Sequence, residues 1–524
     1  MRKRGDLISF DSRDLMRSQC DHCVNLSVAR ELDVSGVREL LNQYYRAPDN
    51  LPIRYGVRYE TQLEQELLHN LGEKMRAPAT NSPETTIELM ASGVPVIYQG
   101  SLYGGSGELP FSGRPDFLVR GDYRLEFTDS GLSAIQVDGW SQGYTAWDAK
   151  LSSSPKLEYQ NQVGLYADAL RSMGLEAHGD HGLILGSREL IGFSSEVLIV
   201  QMSIARGELI KKVNHFVEQD VMRLEDVGSL ICDASSYCEI CEYPLLCEAM
   251  RVQTNHLQLV AGITRSQIES LQRAGVKTVA QLAKFQGETD KLSPEQLRRL
   301  STQARLQQHT YETGEHLYEL INPEEMAKLP EPNPGDIFFD LEGFTFFEEA
   351  GGLEYLFGYT SINRGEEFHH SWADDRESEK ESFESFMKEV IERQKEYPGS
   401  KVYHYANYEQ AALKRLAERF DSYRSELEQL LEAGVFVDLY KVVKSSLIIS
   451  QESYSIKKLE NYYSFARSSD VKEAMGSMEY YDQYLELLTD DYQAAQKLKR
   501  QVIAYNQDDC ASTLALYSWL KSLS

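Results

Sequence analysis

The stretch IFFDLEGF, residues 337–344, sets two carboxylates, Asp340 and Glu342, at alternate positions inside an otherwise apolar run. A helix would scatter that run around its whole circumference. A strand puts residues i and i+2 on one face, so both acids share a side while Ile337, Phe339 and Leu341 share the other. Acids on a core strand are tolerated when something positive meets them. The stretch therefore predicts a buried strand that ends at a cation site, and an α/β domain around it.

The chain has 524 residues, room for about three domains at roughly 150 residues each. Three regions are expected. Residues 1–252 mix strand and helix patterns and end at a cysteine cluster. Residues 253–330 read as all-helical, with Gly262 and Gly275 as breaks in the run LVAGITRSQIESLQRAGVKTVAQLA. KLPEPNPGD (328–336) is a Pro/Gly-rich boundary, and residues 331–524 open on the acidic strand and close on a helix. No apolar run approaches the ~18 residues of a membrane span. The basic start MRKR has no apolar stretch behind it, so a cytoplasmic protein without membrane partners is expected. The formal charge of −27 excludes binding nucleic acid through bulk charge and requires any such contact to be a local groove. Arg298, Arg299 and Arg305, in an acid-free segment, are the candidates.

In the first region, FSGRPDFLV (111–119) reads as a turn entering a strand with Asp116 at its start. YTAWDAKLSS (144–153) reads as a strand with Asp148 and Lys150 on one face. Two aspartates can hold a divalent metal that activates water, and the lysine can stabilise developing negative charge. The helix KLEYQNQVGLYADAL follows, with Gln162 and Tyr166 one turn apart. Upstream, RYGVRYETQLEQELL carries Glu60.

CEICEYPLLC places Cys238, Cys241 and Cys247 in a C-x2-C-x5-C pattern, with Cys20, Cys23 and Cys232 as candidates for a fourth ligand. Seven cysteines in a chain of this kind favour metal or thiol chemistry over disulfides. Four thiolates suit an iron–sulfur cluster or zinc, and C20-x2-C23 with C238-x2-C241 would supply two zinc knuckles.

In the third region, AYNQDDCASTLALYSWL is a helix with Tyr505 and Asp509 on one face. VYHYANYEQAALKRL lies between the strand and that helix and offers Glu409; Asp438, in VFVDLYKVV, is the fallback acid. Four carboxylates can hold two divalent ions that clamp attacking and leaving oxygens. The tyrosine would orient water.

Asp116 with Asp148-x-Lys150, followed by Gln162/Tyr166 and preceded by Glu60, resembles the RecB-like branch of the PD-(D/E)XK nucleases. Tyr59 stands where that branch often has a metal-binding histidine. The resemblance implies a restriction-endonuclease-like fold with Asp116, Asp148 and Glu60 as metal ligands, Lys150 as the catalytic lysine, and Gln162 and Tyr166 shaping the pocket. It also implies a 4Fe-4S cluster on Cys20, Cys238, Cys241 and Cys247, with zinc as the alternative. The D-x-E strand and Tyr505-x3-Asp509 resemble the DnaQ-like DEDD exonucleases of the ribonuclease-H fold. That implies Mg²⁺ or Mn²⁺ on Asp340, Glu342, Glu409 and Asp509, with Glu409 in place of the usual aspartate. The whole chain resembles RecB-like nucleases with a C-terminal ribonuclease-H-like domain, the YprB type, joined by a helical linker with a helix-hairpin-helix-like segment. The implied activity is metal-dependent exonucleolytic hydrolysis, of DNA in preference to RNA, in repair, recombination or defence. Larger relatives add a helicase; this chain has no G-x4-G-K-[ST] loop, so a helicase or a repair or defence protein would be a separate partner. The replacements at 59 and 409 keep open a non-catalytic end-binding module, or an RNA exonuclease using only the C-terminal domain.

Overall fold

The computed structural model describes residues 1–4, 7–45, 50–104, 111–138, 142–219, 234–348, 351–362, 367–469 and 474–523. Cys232 lies outside them. The chain divides into two compact units, one of Met1–Met250 and the other of Arg251–Phe347 with Gly352–Ser524. The helical stretch that follows residue 250 thus groups with the C-terminal sheet. No helix among the described residues is long and apolar enough to cross a membrane.

The first unit is built on a six-stranded sheet in the order Leu190–Phe193, His181–Leu185, Tyr144–Lys150, Phe117–Arg120, Val96–Tyr98, Met75–Arg76. The long helix Asn50–Leu71 comes before it. Strands 96–98, 117–120 and 144–150 follow one another antiparallel. The chain then crosses through the helix Leu157–Ser172 and returns as 181–185, parallel to 144–150. Helix 157–172 buries Val163 through Leu170 without a break because the sheet lies on one side and the helix Ser195–Glu218 on the other. Gly164 permits that crossing, since a Cβ there would lie 2.7 Å from the Leu198 carbonyl oxygen. The N-terminal helices Ser12–Arg17 and Asp21–Glu31 are tied to the cysteine cluster by Arg17, which pairs with Asp14 at 3.1 Å and Glu242 at 2.5 Å.

In the second unit a five-stranded sheet runs Glu367–Trp372, Leu353–Ser361, Ile337–Phe344, Val402–His404, Phe436–Asp438. The first three strands pair antiparallel, and 337–344, 402–404 and 436–438 pair parallel. The acidic strand is therefore central. Ile337, Phe339 and Leu341 pack on Phe386, Val390 and Leu416 from the helices Arg376–Glu396 and Tyr408–Phe420. Phe338, on the opposite face, stacks on Tyr403 at 5.1 Å and meets Leu516 and Tyr517 of the C-terminal helix Tyr492–Leu523. Both faces are covered, which accounts for an apolar run broken only by its acids. A register shift between Glu342 and Gly343 ends the regular pairing just past the second acid.

The helical stretch packs its own small core of Leu257, Ile268, Leu271, Val279, Leu282 and Leu300. Gly262 and Gly275 adopt left-handed φ of 75° and 83°, and the helices Arg265–Arg273 and Val279–Ala283 start on threonine caps. Arg298, Arg299 and Arg305 all lie on the helix Pro294–Thr313.

Candidate active sites

In the second unit the strand and the C-terminal helix bring Asp340, Glu342 and Asp509 together. Among the described residues these three offer ligand oxygens all within 4.8 Å of one another, and no other such group of acids, histidines and cysteines occurs. They line a cavity of about 490 Å³ with Glu409, Lys457 and Tyr505. Each acid is held separately. Asn506 Nδ2 donates to Asp340 Oδ2 at 2.7 Å, Ser477 Oγ donates to Glu342 Oε2 at 2.6 Å, and Arg467 Nη2 donates to Asp509 Oδ1 at 2.7 Å. Burial, then the charges of Asp509 and Glu342, push Asp340 well above the carboxylate range. Burial and Asp509 push Glu342 up to about 8, and burial also raises Asp509 against the pull of Arg467. Three crowded acids that resist ionisation are the electrostatic mark of a cation site. The donor set is all carboxylate oxygen, which fits Mg²⁺ or Mn²⁺.

Tyr505 lies one helical turn before Asp509 and its hydroxyl accepts a hydrogen bond from Lys457 Nζ at 3.1 Å. Lys457 and Arg467 also stand 4.9 and 5.7 Å from the Tyr505 ring centre. Glu409 lines the same cavity but stays outside the group of three, with Oε2 at 3.3 Å from His404 Nδ1. Asp438 is a helix cap: Oδ1 accepts from the backbone N–H of Tyr440 and of Ala406, both at 3.0 Å.

Sequence reasoning missed Lys457, Arg467, Ser477 and Asn506. Asn506 sits inside the YNQDD run and could have been marked by its place next to Tyr505. The other three carry no spacing signal.

Residues 337–521 match the family model RNase_H_2, of the RNase H superfamily. The C-terminal domain is ribonuclease-H-like. Such domains are metal-dependent nucleases, and the acids on the central strand and last helix fall within the matched segment. No curated protein and no solved structure matches the chain.

In the first unit, Lys150 forms an ion pair with Asp148, as two residues on one strand face should. Asp116 joins them: its Oδ2 accepts from the Ala149 N–H at 2.7 Å, and its own N–H donates to Asp148 Oδ1 at 3.4 Å. Burial, then Asp148, raise Asp116 well above the usual range, and Glu60 adds to it while Lys150 opposes. Glu60 Oε1 accepts from Tyr98 Oη at 2.9 Å and from Gln99. Tyr59 is buried and donates to the backbone carbonyl of Leu185, so it fastens the long helix to the sheet. Gln162 Nε2 donates to Tyr166 Oη at 2.7 Å, and both line a cavity of about 700 Å³ with Lys150, Arg114 and Tyr159.

None of the six described cysteines is in a disulfide. Cys23 Sγ lies 3.8 Å from Cys241 Sγ, and Cys20 caps the helix that carries Cys23. Contact with Cys23 draws the Cys241 thiol down to about 7. Cys20, Cys238 and Cys247 are not drawn into one close group with Cys241. The Cys23–Cys241 contact thus joins positions 218 residues apart in sequence. Of the three arginines, Arg305 pairs with Glu319 at 2.7 Å, Arg299 Nη2 donates to the Lys444 carbonyl at 2.6 Å, and Arg298 lines a groove with Phe285 and Leu297.

Proposed function

We propose that this protein is a metal-dependent exonuclease whose principal centre is Asp340, Glu342 and Asp509 with Tyr505. The observation that carries the reading is the convergence of three mutually repelling carboxylates and a tyrosine on one cavity, from a central strand and the last helix. When bound between such carboxylates, a divalent cation supplies charge neutralisation at the phosphate and a more acidic water. The protein's own groups do the rest. Asn506 and Ser477 fix the rotamers of Asp340 and Glu342, and Arg467 fixes Asp509. Lys457 donates to the phenol oxygen of Tyr505, which leaves the phenolic O–H to orient a water in the cavity. Glu409, anchored on His404, supplies the fourth carboxylate of the cavity wall.

A second centre in the first unit is supported by a specific arrangement: Asp116, Asp148 and Lys150 interlocked beside Glu60, on a helix, three antiparallel strands, a helix and a parallel strand. We read it as the RecB-like nuclease site, with Asp116, Asp148 and Glu60 as ligands and Lys150 acting on the nucleophile. Such cores favour DNA as substrate, in repair, recombination or defence. We read Cys20, Cys238, Cys241 and Cys247, with Cys23 in contact with Cys241, as the thiols of a metal staple, 4Fe-4S or zinc, that ties the unit's two ends.

The test is cleavage of end-labelled single- and double-stranded DNA and matched RNA with Mn²⁺ or EDTA, by wild type, Asp340→Asn and Lys150→Ala. Separate losses in the two variants establish two centres. Full activity in Asp340→Asn sinks the principal one.

A further inference from the structure

The chain carries 81 acids against 54 lysines and arginines, yet in the second unit Arg299 meets the backbone of Lys444 with no acid, among the described residues, paired to either. Lys444 lies in the last turn of the helix Leu439–Ser446, and Arg299 reaches it from the helix Pro294–Thr313 to bond the Lys444 carbonyl at 2.6 Å. Among the described residues neither side chain is ion-paired to a carboxylate. Capping a helix's last carbonyl accounts for Arg299. It does not account for the lysine beside it. Burial lowers the Lys444 ammonium, and Arg299 lowers it further. An anion received between the two charges would relieve that repulsion.

The surroundings say which anion. Lys444 Nζ lies 3.5 Å from where a Cβ on Gly262 would stand, so the left-handed turn that opens the helical stretch closes one side of the spot. On the other side the ammonium stands 4.8 Å from the Tyr454 ring centre and 5.8 Å from that of Tyr440. Tyr440 meets Tyr405 edge to face at 5.6 Å, and Tyr405 lines the cavity of Asp340 and Tyr505. Two partly exposed rings, Tyr440 and Tyr405, thus connect the cation pair to the cavity, with the buried Tyr454 beneath them. Paired cations for phosphate and flat rings for bases are the two elements of a single-strand binding path.

We propose that Arg299 and Lys444 grip the phosphodiester backbone of the strand whose end lies in the Asp340 cavity, with Tyr440 and Tyr405 as the track between them. The inference rests on the nuclease reading for the position of the strand end, but binding can be read without cleavage. The spot is the substrate's anchor, placed on the joint between the helical stretch and the sheet domain.

The experiment measures fluorescence anisotropy of fluorescein-labelled oligothymidylate and oligouridylate with the full chain in EDTA, across a salt series. Wild type, Arg299→Gln/Lys444→Gln and Lys444→Arg are compared. Each phosphate contact contributes about 0.7 to the single-strand salt slope. The double variant is expected to bind both oligomers at least about tenfold more weakly, with the slope reduced by about 1.4. Lys444→Arg is expected to bind as wild type. In Mn²⁺, hydrolysis of the p-nitrophenyl ester of thymidine 5′-monophosphate, which fills only the cavity, should be unchanged in the double variant. Unchanged affinity and slope overturn the anchor, as does a loss confined to one sugar, a loss in Lys444→Arg, or an equal fall on the small ester. A wild type that hydrolyses nothing refutes the nuclease reading, while the binding comparison still decides the anchor.

Discussion

Replacing Glu342 with Gln should stabilise the metal-free protein in alkaline buffer. Burial and Asp509 hold the Glu342 carboxyl at about 8, against an ordinary 4.5. Below the unfolded value both states keep the proton and the group is neutral to stability. Between the two values the unfolded chain releases its proton and the folded chain keeps it, so stability falls as pH rises. Above about 8 both are ionised and the penalty is constant. At about 1.4 kcal/mol for each pH unit of displacement, the full penalty is on the order of 5 kcal/mol. Asp340 and Asp509 share the strain, so the single amide should recover only part of it, about 1–3 kcal/mol. Ser477 can still donate to the amide oxygen, which limits collateral damage. In a domain of this size that corresponds to a rise of about 3–10 °C in thermal midpoint. The assay is differential scanning fluorimetry in EDTA at pH 5 and pH 9, repeated with Mn²⁺. Wild type should melt lower at pH 9 than at pH 5, the variant should lose most of that difference, and Mn²⁺ should stabilise wild type more than the variant. A Gln variant that melts at or below wild type at pH 9 in EDTA would refute the account of the site as three crowded carboxylates.

Three further outcomes follow from contacts already described. Lys457→Met removes the donor to Tyr505 and should lower kcat by about 10²-fold with KM little changed; a KM effect alone would reassign Lys457 to substrate binding. Asp438→Ala should lower stability by about 1 kcal/mol through the lost cap and leave Mn²⁺-dependent hydrolysis intact; abolished hydrolysis at unchanged stability would make it a metal ligand. Cys23→Ala and Cys241→Ala should be non-additive in a chemical denaturation cycle, with a coupling of about 0.5 kcal/mol or more, whereas strictly additive losses would show that the contact carries nothing.

Residues that act through local periodicity were legible from the chain. Asp340 with Glu342, Asp148 with Lys150, Gln162 with Tyr166 and Tyr505 with Asp509 each sit at a spacing that a strand or helix converts directly into one face, and each pair shares a site. The breaks at Gly262 and Gly275 were legible as interruptions of helical spacing, though not their left-handed conformation. What a residue does with a distant partner was not. Nothing local says that Glu409 is claimed by a histidine five positions earlier on a strand, or that Asp438 spends its oxygens on a helix start. Lys457 and Arg467 approach Tyr505 from a separate helix and the loop after it. Cys20 caps the helix on which Cys23 lies, and their spacing alone does not say which of them meets Cys241. Arginines 298, 299 and 305 looked alike in an acid-free run, yet the fold gives one to a glutamate, one to a carbonyl and one to a groove.

The strand carrying Asp340 and the helix carrying Asp509 also frame a long detour of chain, for Asn506 meets Asp340 across 166 residues of sequence. A cation seated between those elements acts as a removable clasp on that detour. Unlike a covalent cross-link it leaves the unfolded chain free and acts only by binding the folded arrangement. Its binding free energy is credited to the docking of the last helix on the sheet. Chelation should then do more than stop catalysis: it should let amide hydrogens in the segment around Asn506 exchange while the strands beneath stay protected, so that cutting competence and the seating of the last helix rise and fall together.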